Sequence, residues 1–242
     1  MTVLFHASDL HFGAEDPAAL DWFAERVADE TPDAVVITGD LTMRARSSEF
    51  AAAQAWLSQL GAPVLIEPGN HDLPYFNPVK RMMRPYSRVM KLQEQVQRGI
   101  DFPDVHLASL RTTARAQWRL NWSKGRVSHR ALHSAVTGLR QSADDAYRIV
   151  LAHHPLIEPA TRTSARTVRG RSALEAVAAA GAQAVLSGHV HDPFDIEVST
   201  AAGPVRLIGA GTLSERVRAT RPSFNRLTVD GGELTSEVCA MA

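Results

Sequence analysis

One cysteine, Cys239, is all that 242 residues carry, so no internal disulfide framework can hold the fold and a reducing compartment suits it. Excess charge is missing as well, because Lys and Arg total 26 against 26 for Asp and Glu. A balanced chain creates no global field toward nucleic acid or membrane, and only local clusters remain to be considered. No apolar run approaches the roughly 20 residues of a membrane-spanning helix. The first apolar segment follows no basic n-region or long h-region of a secretory leader, so a soluble, cytoplasmic protein is expected. What the chain does have is 45% hydrophobic content, enough to bury a full core at a length that one domain accommodates.

The apolar residues form short runs that end in polar side chains. Val3, Leu4, Phe5, His6 and Ala7 lead into Ser8-Asp9-Leu10-His11, and Ala34, Val35, Val36 and Ile37 lead into Gly39-Asp40-Leu41-Thr42. Val64, Leu65 and Ile66, followed by Glu67-Pro68, lead into Gly69-Asn70-His71-Asp72. Between the runs, Asp16-Pro17 opens a helix with Leu20, Phe23 and Val27 inward, and a second begins at Ser47 with Phe50, Trp56, Leu57 and Leu60 at helical spacing and Gly61 as its stop. Strand, helix, strand, helix, strand implies parallel pairing with right-handed crossovers, which collects these loops on one sheet edge. The second half repeats the theme: residues 148–152 end in His153-His154-Pro155, and Ala184, Val185, Leu186 and Ser187 end in Gly188-His189-Val190-His191 after a helix over 172–180. Asp9 and His11, like His189 and His191, lie two residues apart, which in extended backbone puts both side chains on one side. Residues 196–200, 205–208, 227–229 and 234–238 read as antiparallel strands completing a second sheet.

Two stretches are less regular. Over 73–104, Val79, Met82, Met83, Tyr86, Val89 and Met90 fall near helical spacing with Lys80, Arg81, Arg84, Arg88 and Lys91 opposite, and Pro85 should divide the helix. This segment reads as a cap or lid whose apolar face packs on the domain, or meets lipid or an acyl substrate. Over 105–143, Arg111, Arg115, Arg119, Lys124, Arg126, Arg130 and Arg140, with Trp118 and Trp122, could line an anion site or form a solvated face, and Ser128 caps a helix carrying Leu132, Val136 and Leu139.

Asp9-x-His11, Gly39-Asp40, Gly69-Asn70-His71-Asp72, His153 and Gly188-His189-Val190-His191, in that order, resemble the fingerprint of the calcineurin-like metallophosphoesterases. The resemblance implies an α/β fold, a four-layer β-sandwich of two mixed sheets flanked by helices, in a single domain over 1–242, with two metal ions at the strand ends. Carried over by position, Asp9, His11, Asp40 and His191 would hold one ion and Asp40, Asn70, His153 and His189 the other. His71 would stand beside the scissile phosphate with Asp72 as its orienting partner, while His154 faces substrate or packs. Protein phosphatases of the superfamily carry Arg where Pro68 stands and Asp-Arg-Gly where Thr42-Met43-Arg44 stand, so the bacterial phosphodiesterase branch, with its cyclic-nucleotide phosphodiesterases, is the nearer likeness.

Two divalent ions outweigh the charge of Asp9 and Asp40, attract a phosphate, and can hold a bridging hydroxide for in-line attack. The expected function is therefore a dinuclear metal-dependent phosphodiesterase acting on a small phosphodiester such as a cyclic nucleotide, with Arg44 and Arg46 as further phosphate contacts. Alternatives are a peripheral-membrane hydrolase of a lipid-linked phosphate or diphosphate, similar to the UDP-diacylglucosamine hydrolases, or a nuclease. Nitrogen and oxygen ligands without thiolate suit Mn, Fe, Zn, Co or Ni.

Overall fold

The apolar runs are too short for helices and are buried on both faces, and each becomes a strand. A computed structural model describes residues 1–96, 102–114, 123–143, 145–162 and 165–242, so Arg115, Trp118, Arg119 and Trp122 lie outside the described residues. Strands β1 (Thr2–Ala7), β2 (Ala34–Ile37) and β3 (Val64–Ile66) pair in parallel, with α1 (Pro17–Glu30) and α2 (Ser47–Leu57) in the crossovers. Asp16 starts α1, its carboxylate accepting from the backbone N–H groups of Ala18 and Ala19, with Pro17 at the head of the helix where a missing N–H costs nothing.

The second sheet has the same design. Of its strands β4 (Val105–Ser109), β5 (Tyr147–Leu151), β6 (Ala184–Ser187), β7 (Phe194–Thr200) and β8 (Gly203–Gly209), all are parallel except the edge strand β7, giving the order β4-β5-β6-β8-β7. The last hairpin, β9 (Ser223–Asp230) and β10 (Glu233–Ala240), returns to the first sheet, antiparallel beside β1, in the order β10-β9-β1-β2-β3. This corrects the expectation that the whole tail completes a second sheet. Periodicity reveals a strand, not which free edge it will join.

Side-chain alternation builds the layers. Leu4, Ala34 and Val36 meet Ile149, Leu151, Ala184 and Leu186 between the sheets. Their neighbours Phe5, Val35 and Ile37 turn outward onto Phe23, Phe50 and Leu57 of α1 and α2. Val150 and Val185 likewise face Leu139 and Leu174 of α5 (His129–Arg140) and α6 (Gly170–Ala179). The result is helix, sheet, sheet, helix, and each fully buried Leu, Ile or Phe contributes about 1.5–3 kcal/mol. Pro85 divides the segment beyond Asp72 as expected, into α3 (Pro78–Met83) and α4 (Ser87–Val96). The break spoils the single apolar stripe: Tyr86, Val89 and Leu92 are buried, whereas Val79, Met82, Met83 and Met90 are 51–74% exposed.

Candidate metal centre

β1, β2, β3, β5 and β6 all stop just short of the residues singled out above. Asp9 (φ 55°), His11 (φ 50°), Asp40 (φ 51°), His189 (φ 70°) and His191 (φ 61°) all have left-handed backbone. The extended geometry expected for the Asp9/His11 and His189/His191 pairs is therefore wrong; each pair is gathered by a coiled loop. Left-handed backbone costs a non-glycine residue about 1 kcal/mol or more, and persists where other contacts over-determine it. Here the Asp9 N–H donates to Gly39 O and the His11 N–H to Asp40 O, both at 3.0 Å. The carboxylates also tie loops together: Asp40 Oδ1 accepts from the His71 N–H and Asp9 Oδ2 from the His189 N–H, each at 2.8 Å. That crowding explains two glycines. A Cβ at Gly69 would sit 2.1 Å from Asp40 Oδ1, and one at Gly188 would sit 1.8 Å from Ser8 Oγ.

Four overlapping triads of ligand atoms result, Asp9 with His11 and His191, Asp9 with Asp40 and His153, His11 with Asp40 and His71, and His153 with His154 and His189. Asp9 Oδ1 lies 3.1 Å from His191 Nε2 and 3.6 Å from His11 Nε2, and the two imidazole nitrogens are 3.3 Å apart. Asp40 Oδ2 lies 3.9 Å from His11 Nε2 and 3.4 Å from His153 Nε2, which is 3.2 Å from Asn70 Oδ1. The His189 ring stacks edge-on to His153 at 5.2 Å. Carbonyls fix the tautomers: His153 Nδ1 donates to Thr38 O and His191 Nδ1 to Arg216 O, both at 2.8 Å. Each ring then turns its Nε2 inward, at carboxylate and amide oxygens that only accept. Asp9 Oδ1 is buried and accepts no well-formed hydrogen bond among the described residues. Oxygens and ring nitrogens converging in this way need a positive charge among them, a proton or a cation, and the carbonyls behind His153 and His191 are how metal-binding histidines are oriented. The residues fit a metal pair.

Charge follows the same geometry. Burial would raise Asp9 and Asp40, but His191 and His11 around the first, and His153 and His71 around the second, hold both carboxyls well below the usual range. Burial alone would lower His153; Asp40 outweighs it and pushes the imidazole up to about 9, so a proton stands where a cation fits. His189 is pushed down to about 3, by burial and by the charge of His153.

Several expected roles are redistributed. Asp72 accepts from the backbone N–H groups of Leu41, Thr42 and Gly69 and from the Thr42 hydroxyl, not from His71, and burial together with Asp40 raises its carboxyl to about 6. The partner of His71 is instead the Met43 carbonyl, 2.7 Å from Nδ1. His154 faces no open surface: it is buried, with Nδ1 2.9 Å from the Thr112 hydroxyl and Nε2 2.9 Å from Ser123 O. With both ring nitrogens engaged, it packs. Arg44 and Arg46 are exposed and line a separate cavity. Arg216 is the addition that no motif announced. Its Nη1 reaches within 3.4 Å of His11 Nε2, 3.5 Å of His71 Nε2 and 3.8 Å of Met43 Sδ, from the loop between β8 and β9.

A family model described as calcineurin-like phosphoesterase matches residues 2–193, a span that stops short of Arg216. The chain is similar to the glycerophosphodiester phosphodiesterase GpdQ of Enterobacter lignolyticus (strain SCF1), 35% identical over 81 residues; the match covers 29% of this chain and 29% of that relative's length. Among solved structures it resembles a dimetal phosphatase from Danio rerio, with a TM-score of 0.66 at 13% identity, over 99% of this chain and 96% of that one. It also resembles purple acid phosphatase PPD1 from yellow lupin, Lupinus luteus, with a TM-score of 0.69 at 14% identity, over 99% of this chain and 51% of the other. At such identities the structural likeness is one of fold.

Proposed function

Since the chain belongs to the calcineurin-like phosphoesterase family, we propose that it is a metal-dependent phosphodiesterase that hydrolyses a small phosphodiester at a dinuclear centre. The observation that carries this reading is the convergence of carboxylate, amide and imidazole ligand atoms from five loops in overlapping groups. Asp9, His11, Asp40 and His191 would hold one ion, and Asp40, Asn70, His153 and His189 the other. When bound, two divalent ions supply Lewis acidity toward phosphoryl oxygens and make water a competent nucleophile at neutral pH. The all nitrogen and oxygen donor set suits Mn, Fe, Zn, Co or Ni.

The chain's own groups do the rest. His71, fixed through Nδ1 on the Met43 carbonyl, presents Nε2 to the substrate side; protonated there, it donates to the leaving alkoxide. Arg216, beside it, offers a planar fork of donors for a non-bridging phosphate oxygen, an arrangement that a lysine would not reproduce. Buried Asp72 braces the two loops that carry Asp40 and His71.

The test is elemental analysis of metal-replete protein together with hydrolysis of bis-p-nitrophenyl phosphate, its monoester, cyclic nucleotides and a lipid-linked diphosphate. Two ions per chain and faster diester than monoester hydrolysis support the reading; saturation at one ion or none removes it. One observation favours the lipid-linked alternative, namely the exposure of Val79, Met82, Met83 and Met90. No described helix is long and apolar enough to cross a membrane.

A further inference from the structure

The two loops that carry Asp40 and His71 do not end at the metal centre. Each continues into the wall of a cavity of about 480 Å³, within the range of sites that hold a small ligand. One wall starts at Arg44, next in sequence to Met43, whose carbonyl orients His71 and whose sulfur touches Arg216. The other starts at Pro74, two residues past Asp72. The cavity wall is thus carried by the continuations of the two loops that hold Asp40, Met43 and His71.

Its lining contains Arg44, Arg46, Lys80 and Arg88 and no acidic residue. Arg88 is anchored on the Ala45 carbonyl. Arg46 reaches Glu49 only at 3.9 Å, and no described carboxylate lies within ion-pair distance of Arg44, Lys80 or Arg88. Four cations around one hollow repel each other unless an anion joins them. The same hollow is lined by Tyr75 and Phe76, an edge-to-face pair with centroids 5.2 Å apart, exposed by 60% and 67%. Exposed aromatic rings adjoining cations suit a flat ligand that carries a phosphate, since ring faces stack on bases and guanidinium or ammonium groups take the anion.

We propose that this cavity is a substrate subsite for a nucleoside bearing its own, non-scissile phosphate, with Arg44 and Lys80 on the phosphate and Tyr75 and Phe76 against the base. The proposal rests on the phosphodiesterase reading and narrows it to a phosphodiester whose one arm is a phosphorylated nucleoside.

The probe is adenosine 5′-monophosphate, compared with adenosine and inorganic phosphate, titrated calorimetrically into metal-free protein in chelator so that no metal ion competes for phosphate. The monophosphate is expected to bind at least about tenfold more tightly than either part. Lys80→Ala is expected to weaken it by about 5- to 30-fold, and Tyr75→Ala to weaken the monophosphate and adenosine but not inorganic phosphate. Tyr75 is exposed and Lys80 half-buried, and melting temperatures check that the variants fold. In metal-loaded protein, a 5′-phosphorylated dinucleotide is expected to exceed its unphosphorylated counterpart in kcat/KM, with the ratio collapsing toward one in Lys80→Ala. Inorganic phosphate binding as tightly as the monophosphate, or variants that leave the monophosphate affinity unchanged, would overturn the proposal. Failure of wild-type protein to hydrolyse bis-p-nitrophenyl phosphate would count against the phosphodiesterase reading instead, with the metal-free titration still deciding the cavity.

Discussion

His71 stands between a ligand-type amide and a buried carboxylate, yet takes its orientation from a backbone carbonyl on another loop. Its ring packs edge-on against His11 at 4.9 Å, but no hydrogen bond of the side chain holds a ligand in place. His71→Ala is therefore expected to keep both metal ions by elemental analysis while kcat falls on the order of 10²- to 10⁴-fold, as removal of one acid or charge stabiliser does. If the role is proton donation, a p-nitrophenolate leaving group suffers less than an alkoxide; equal losses assign charge stabilisation. Loss of a metal equivalent at unchanged fold would show the assignment to be wrong. Arg216→Lys tests its neighbour, because a lysine keeps the charge and loses the planar fork. We expect KM for bis-p-nitrophenyl phosphate to rise about tenfold with metal content unchanged, whereas unchanged KM would place Arg216 away from substrate. The candidate ligands were legible in sequence because their types and order carry the chemistry. Arg216 and the Thr38 and Met43 carbonyls were not: a backbone oxygen has no sequence signature, and a lone arginine in a loop resembles any solvated one.

At the scale of elements, the seam between the two sheets holds a buried acid. Glu67, just after β3, accepts a hydrogen bond from Ser109 at the end of β4, leaves Oε1 without a partner among the described residues, and is pushed up to about 7 by burial despite Ser109 and Arg111. The native protein thus binds this proton more tightly than the unfolded chain. Stability falls as pH rises from about 4.5 to about 7 and stays reduced above, by about 3 kcal/mol at most. Glu67→Gln is expected to be the more stable protein in denaturant melts at pH 8 and to match wild type near pH 4.5, both in chelator. An advantage of the same size at both values would mean that ionisation is not the cause. On α3, Met82 and Met83 are exposed, so replacing both by Ser is expected to leave the melting temperature within about 2–4 °C, each surface change being within about 0.5 kcal/mol. If the segment contacts an acyl substrate, KM for a lipid-linked diphosphate rises while that for bis-p-nitrophenyl phosphate stays; unchanged values for both would exclude a lipid contact there. Helix starts such as Asp16 and Ser128 were legible because capping is local, whereas the return of β9 and β10 to the first sheet depends on edges hundreds of ångströms of chain away.

Across the whole molecule the centre is a staple. Asp9, His11, Asp40 and Asn70 follow strands of the first sheet, and His153, His189 and His191 follow strands of the second, so ions bound between them would clamp the two layers as well as bind substrate. The strand-loop repetition made the layers readable in sequence; their face-to-face packing was not, because alternation says which side chains are buried but not against which sheet. A ligand that binds only the folded state stabilises it by about 2.7 kcal/mol at a hundredfold excess over Kd, which for a chain of this size raises the melting temperature by about 5–10 °C per site. Asp40 is the one side chain placed in both groups, and its Oδ1 also holds the His71 N–H. Asp40→Asn keeps that hydrogen bond while removing the charge, and is expected to lose most of the metal-induced rise in melting temperature, both metal equivalents and all activity. His11→Ala touches one group alone, and is expected to keep about half of the rise and one equivalent. If the two variants lose the same single equivalent, Asp40 does not bridge, and the two groups of acceptors are separate sites that only happen to adjoin.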